Sequence, residues 1–183
     1  MLAARKRGTM VERRVDFERR KRVSEMSPEE MRRALLISEK TGLPNRRAFE
    51  ETPPSPYMAM VDVNGLKALN DKFGYAAGDI LINRLAEVLV SVQLDTYHDK
   101  GDEFLCKGQS FRELNSKLAQ AQQLLEDEPF VVPSVHDRMT TINGASFCFG
   151  IGTNMMEAER SLKNQKELRK VSSHEIKTNP HID

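Results

Sequence analysis

Two groups of acids in this sequence stand where side chains can do chemistry. Val61-Asp62-Val63-Asn64 ends an apolar run in a carboxylate, and Lys100-Gly101-Asp102-Glu103-Phe104 carries adjacent acids beside a glycine turn. A strand that closes on an aspartate sets the carboxylate at the rim of its sheet. A helix beginning at Gly65 aims the unpaired N–H groups of its first turn at that rim, where Gly65, Leu66 and Lys67 could cradle a phosphate. If the hairpin around Lys100-Gly101 pairs with Tyr57–Val61, Asp102 comes beside Asp62. Together with the Val63 carbonyl, these oxygens suit Mg²⁺, or Mn²⁺ in its place; triphosphate oxygens would complete an arrangement for two-metal nucleotidyl transfer. Each acid taken alone also fits a plainer role, Asp62 as a helix N-cap and Asp102-Glu103 as solvated turn residues.

The surrounding pattern supplies the elements that must hold these groups. Ser27-Pro28-Glu29-Glu30 reads as a capping box with proline at the first helical position, opening a helix that should run to about Lys40 and stop near Gly42. A short helix is expected over Asn45–Glu51 and a buried strand over Tyr57–Val61. Gly65–Lys72 reads as a helix and Gly74–Gly78 as a loop. Leu81, Leu85, Val88, Leu89 and Val92 form one face of a helix over Asp79–Val92. Tyr97–Cys106 predicts two short strands, Phe111–Glu126 an amphipathic helix, Phe130–Val135 and Arg138–Gly152 further strands, and Glu157–Lys170 a last helix. Interleaved helices and hairpins predict an α+β fold, an antiparallel sheet flanked by helices.

The chain has 183 residues, with 28 Lys and Arg against 27 Asp and Glu, a formal charge of +1. That balance gives no global pull toward nucleic acid or a membrane surface, and nucleic acid is not an expected partner. The charge is uneven, however: residues 1–34 hold eleven basic and six acidic residues, so 1–33 reads as a basic helical arm or linker. Residues 34–171 form the expected domain and 172–183 a polar tail. No stretch is apolar enough to span a membrane, and MLAARKRGTMVERR has no apolar block of a secretory leader. With Cys106 and Cys148 in apolar surroundings, a cytoplasmic protein with reduced thiols is expected.

Six segments in order resemble the GGDEF domain of the diguanylate cyclase family. Thr41-Gly42-Leu43-Pro44-Asn45-Arg46-Arg47-Ala48-Phe49 resembles its opening motif, and Asp62 through Asp71 its first acidic stretch. Gly74-Tyr75-Ala76-Ala77-Gly78-Asp79 is similar to its Gly-His-x-x-Gly-Asp, and Lys100-Gly101-Asp102-Glu103-Phe104 keeps four of five signature positions. Phe147–Gly152 and Ala158–Lys166 resemble its last strand and last helix. The resemblance implies a palm-like fold and condensation of two GTP molecules into cyclic di-GMP. It implies that Asp62, the Val63 carbonyl and Asp102 hold Mg²⁺, with Glu103 a further metal contact or the base for the attacking 3′-hydroxyl. Asn70 and Asp79 would read guanine, since an ionised carboxylate only accepts and suits the N1–H and N2–H₂ edge that adenine lacks. Lys67, Lys166 and Lys170 would contact phosphates, with Arg169 able to stand in for Lys170, where the family has arginine. One GTP per site implies a homodimer, at least transient.

The sequence departs from the family pattern at several positions. Lys100 stands for the first signature glycine; if that position needs positive φ, the replacement costs about 1–2 kcal/mol, and its cation could reach phosphate or Asp102. Ser38 replaces an aspartate, Lys40 a leucine, Tyr75 a histidine, His98 an arginine and Lys163 a tyrosine. The loop Thr153–Glu157 is short. Ser91–Asp95 lacks the arginine of the family's product-inhibition motif, so inhibition through that site is not expected. These departures motivate an alternative function: a catalytically degenerate domain that binds a guanine nucleotide as a regulatory or interaction module.

Overall fold

The computed structural model describes residues 23–133 and 139–178, with side chains of the last helix described through Arg169. The chain divides into two compact units between Leu35 and Leu36. Most of the basic arm lies outside the described residues. Within the first unit, a 3₁₀ turn over Val23–Glu25 precedes α1 (Pro28–Leu36). The expected capping box is present: Ser27 N–H donates to Glu30 Oε2 at 2.8 Å, and Glu30 N–H to Ser27 Oγ at 3.2 Å. The helix stops short of Lys40. Leu36 carbonyl accepts from Asn45 N–H and Ser38 N–H donates to the Leu43 carbonyl, closing a turn in place of another helical turn.

The second unit follows as α2 (Arg46–Glu51), β1 (Tyr57–Val63), α3 (Leu66–Phe73), α4 (Tyr75–Ser91), β2 (Asp95–Lys100), β3 (Glu103–Gly108), α5 (Phe111–Asp127), β4 (Phe130–Pro133), β5 (Met139–Ile142), β6 (Phe147–Gly152) and α6 (Met155–Thr178). The loop expected over Gly74–Gly78 is instead the start of α4. Gly74, at φ +84°, turns the chain so sharply that α4 begins one residue after α3 ends. The last helix continues past Lys170 to Thr178, into the segment read as a tail. Among the described residues, no helix is long and apolar enough to cross a membrane.

Four antiparallel strands form the main sheet in the order β2-β3-β1-β6, while β4 and β5 pair separately. Side chains alternate along β1. Ala59, Val61 and Val63 face a core built with Leu81, Leu85 and Leu89 of α4 and Leu114 and Leu118 of α5; Met58 and Met60 face Ala48 of α2 and Ala158 and Leu162 of α6. Helices therefore cover both faces, as the sequence predicts.

Two features set how closely those helices lie. A Cβ on Gly150 would fall 2.1 Å from the Leu162 nitrogen, and one on Gly152 2.5 Å from the Ala158 nitrogen, so the backbone of α6 rests directly on β6. Lys107 is buried on the α2 side. Its ammonium donates to the carbonyls of Phe49, Thr52 and Pro53 at 2.9–3.0 Å and to Thr52 Oγ1 at 2.6 Å, capping the open end of α2. It also lies 4.4 Å from the Phe49 ring centre. Lys107→Met keeps the stem and removes the lysine donor to the Thr52 and Pro53 carbonyls, while the Phe49 carbonyl keeps Thr52 Oγ1. It should destabilise the domain by about 2–3 kcal/mol in denaturant unfolding with an unchanged m value; a loss below measurement error would show that the cap is dispensable.

Candidate functional site

The site begins with the register of β1. Asp62 lies opposite Glu103 of β3 on one side and Cys148 of β6 on the other. Alternation places Asp62 on the Met58–Met60 face, which α6 covers. Ala158, Leu162 and Lys166 step by four along α6, so the helix face that buries the first two carries Lys166 toward Asp62. The Lys166 ammonium lies 2.7 Å from Asp62 Oδ2, and that carboxylate is only 15% exposed. Asp62, Val63, Gly65, Lys166 and Arg169 line a cavity of about 320 Å³ with Asn64 and Cys148. A cavity of about 270 Å³ on the other side of Asn64 and Gly65, lined by Leu69, Phe73 and Ile142 among others, has no acid in its wall.

Asp102 stands in the β2–β3 turn next to Glu103. It does not line that cavity, but it shares the same field: burial, and then the charge of Asp62, push its carboxyl above the ordinary range. Its own backbone N–H, Lys166 and Lys40 act in the opposite direction. The two acids singled out from the sequence therefore sit at one rim. Two carboxylates and a nearby carbonyl are hard oxygen donors that fit Mg²⁺, which needs only one or two protein carboxylates beside water and phosphate oxygens. Among the described residues, no three His, Cys, Asp or Glu side chains form a ready-made metal cluster.

Gly65 takes φ +74° and caps α3 without a side-chain hydrogen bond, leaving first-turn N–H groups for a ligand. Leu66 packs inward against the core, and Lys67 stands in solvent paired with Asp71 at 3.1 Å. Neither Leu66 nor Lys67 lines the cavity. Arg169, one turn after Lys166, donates to Ser146 Oγ at 2.8 Å at the cavity edge. The sequence names it only as a neighbour able to stand in for Lys170. The Lys170 side chain lies outside the described residues.

Asn70 of α3 lies against Gly78 of α4, the residue before Asp79. A Cβ on Gly78 would lie 2.0 Å from Asn70 Oδ1, so the glycine makes room for the amide; that oxygen is buried without a hydrogen-bond partner. Asp79 is held by Lys40, whose ammonium lies 2.7 Å from Oδ1. The sequence marks Lys40 as a departure without placing it in the site.

Lys100 differs from its sequence-based reading. Among the described residues, Gln93 is the one non-glycine residue at positive φ, and Gly101 takes the turn at φ +57°. Lys100 is the last residue of β2, so its replacement of glycine carries no left-handed strain. Its side chain is largely exposed and lies 3.5 Å from Glu103, not on Asp102.

The departures at Ser38 and His98 meet each other. Ser38 Oγ lies 2.6 Å from His98 Nδ1, and His98 Nε2 lies 3.2 Å from the Gly101 carbonyl. A carbonyl can only accept, so Nε2 carries the proton and Nδ1 accepts from the serine. Burial lowers the His98 pKa and keeps the ring neutral. A bulge between His98 and Lys100 turns Asp99 inward to Arg46, 2.9 Å away. The short loop before α6 is closed by Glu157, which accepts from Thr153 N–H at 2.9 Å and Thr153 Oγ1 at 2.7 Å.

No protein-family model matches the chain. The chain is 28% identical over 123 residues to the diguanylate cyclase DgcZ of Escherichia coli, an alignment covering 60% of this chain and 42% of that protein. It thus spans less than half of that relative. A sensory box/GGDEF family protein from Caulobacter crescentus superposes with a TM-score of 0.53 at 22% identity, over 72% of this chain and 98% of that one. The coiled coil and GGDEF domain of DgcB from Caulobacter crescentus, solved with c-di-GMP, superposes with a TM-score of 0.59 at 17% identity, over 90% and 88% of the two chains.

Two outcomes test this geometry. Ser38→Ala strips the buried imidazole of its donor and should cost about 1–3 kcal/mol in unfolding experiments; no loss would disconnect Ser38 from the signature turn. A raised carboxyl pKa means the folded state binds that proton more tightly than the unfolded chain. Its contribution to stability is therefore present at low pH and lost as pH rises through the raised value. Asp62→Asn should move Asp102 down, though still above the ordinary range because burial remains. Carboxyl ¹³C titration checks this, and an unmoved Asp102 would separate the two acids.

Proposed function

We propose that this chain, which carries a GGDEF domain, is a diguanylate cyclase that condenses two GTP molecules into cyclic di-GMP and two pyrophosphates. The carrying observation is that Asp62, Asp102 and Glu103 share one rim with the uncapped N-terminus of α3 and the cations Lys166 and Arg169. Acids to hold a divalent ion and N–H groups and cations to hold phosphate stand side by side.

In this reading, the triphosphate lies along the backbone of Gly65 and Leu66, with Lys166 and Arg169 countering its charge. The base lies toward the packing of α3 on α4, where Asn70 and the Asp79 carboxylate would read the guanine edge. Asp62, the Val63 carbonyl and Asp102 would hold Mg²⁺ or Mn²⁺. Such an ion supplies Lewis-acid neutralisation of charge on the transferring phosphoryl group. The 3′-oxygen of one nucleotide bonds to the α-phosphorus of the other as the bond to pyrophosphate breaks, and Glu103 accepts the hydroxyl proton. Each domain binds one GTP, so two copies must face each other during turnover. The naming of DgcZ as a cyclase and the c-di-GMP bound to DgcB support this reading by likeness.

The second reading, a degenerate guanine-nucleotide-binding module, is favoured by the pairing of Asp62, Asp79 and Glu103 with Lys166, Lys40 and Lys100. One assay separates the two. Protein concentrated enough to populate dimers, given GTP and Mg²⁺, should form cyclic di-GMP identified by mass, and Asp102→Asn should slow it about a hundredfold or more, as loss of one preorganised electrostatic group does. GTP binding without product, with activity appearing in Lys100→Gly, would favour the degenerate module instead.

A further inference from the structure

We propose that Lys40 is a base-reading residue that widens this pocket from guanine-selective to either purine, an inference that rests on Asp79 contacting the base. The position of Lys40 is built, not incidental. It lies in a turn closed by Gly42 N–H donating to the Ser38 carbonyl at 2.8 Å, with Gly42 at φ +72°. That turn is tied to β2 through Ser38 and His98. From it the side chain reaches α4, placing its ammonium 2.7 Å from Asp79 Oδ1.

The hydrogen-bond chemistry follows from the two groups. An isolated carboxylate offers acceptors alone, and guanine's adjacent N1–H and N2–H₂ satisfy both oxygens at once. Here Oδ1 already receives Lys40, and the ammonium has two further protons to give. The pair therefore presents a donor beside an acceptor. Guanine matches it with O6 on the ammonium and N1–H on the carboxylate; adenine matches it when turned over, with N1 on the ammonium and N6–H₂ on the carboxylate. Tyr75 adds to this. Tyr75 is 82% exposed and stands one helical turn before Asp79 on the same face of α4. Stacking on an aromatic face discriminates little between purines.

Stability does not account for the pair. Both side chains are substantially exposed, and such ion pairs contribute little to folding. Lys40→Leu should therefore leave the thermal midpoint unchanged.

Calorimetry of GTP and ATP binding, with Ca²⁺ to prevent turnover, tests the inference in the wild type, Lys40→Leu, Lys40→Gln and Asp79→Ala. The wild type should bind the two nucleotides with affinities within about tenfold, and both Lys40 variants should raise the preference for GTP by about tenfold to a hundredfold, the size of one good edge-reading contact. A GTP-to-ATP ratio unchanged by either variant overturns the role of Lys40 while leaving the nucleotide site standing. GTP binding that Asp79→Ala leaves intact, or no binding of either nucleotide to the wild type, overturns the base contact at Asp79 and the inference with it.

Discussion

The register of β1 between β3 and β6 is the constraint on which the site depends. Because side chains alternate, Asp62 emerges on the face of Met58 and Met60, beneath α6, while Val61 and Val63 enter the opposite core. A slip of one residue would bury the carboxylate among leucines and expose two valines. The same register sets Asp62 opposite Glu103 and sends Asp102 into the adjoining turn. Gly150 and Gly152 complete the placement. With no side chain to hold the helix away, α6 lies on β6 and Lys166 arrives within bonding distance of Asp62.

The departures from the family pattern are not independent losses. Ser38 and His98, distant in the chain, hydrogen-bond to each other, and the histidine's second nitrogen holds the Gly101 carbonyl of the signature turn. An acid and an arginine in the family correspond here to a hydroxyl and a neutral imidazole. The exchange replaces charges with a neutral pair that can be buried without an ionic desolvation penalty. Lys100 is likewise accommodated, since the positive φ falls on Gly101 and the lysine extends into solvent beside Glu103.

Charge balance gives the rim its character. Asp62, Asp79 and Glu103 each have a lysine partner, and the raised carboxyl of Asp102 lies in a field to which Asp62, Lys166 and Lys40 all contribute. Asp62 and Asp102, close enough that one raises the other, would repel more strongly without those cations. The lysines come from three separated parts of the chain, and two of them stand where the family pattern has other residues.

The sequence by itself determined the element types and the principal acids. Alternation and helical spacing are local properties, so β1, α5 and the capping box at Ser27 could be read from neighbouring residues, as could Asp62 and Asp102. Boundaries set by distant partners could not be read this way. The early end of α1 depends on Leu36 meeting Asn45, and the immediate start of α4 depends on the turn at Gly74. Tertiary structure alone decided that Lys40 lies on Asp79 and that Lys107 caps α2. A long cationic side chain has many rotamers and several acids within reach. Its partner is chosen by where other elements pack, and no spacing along the chain encodes that choice.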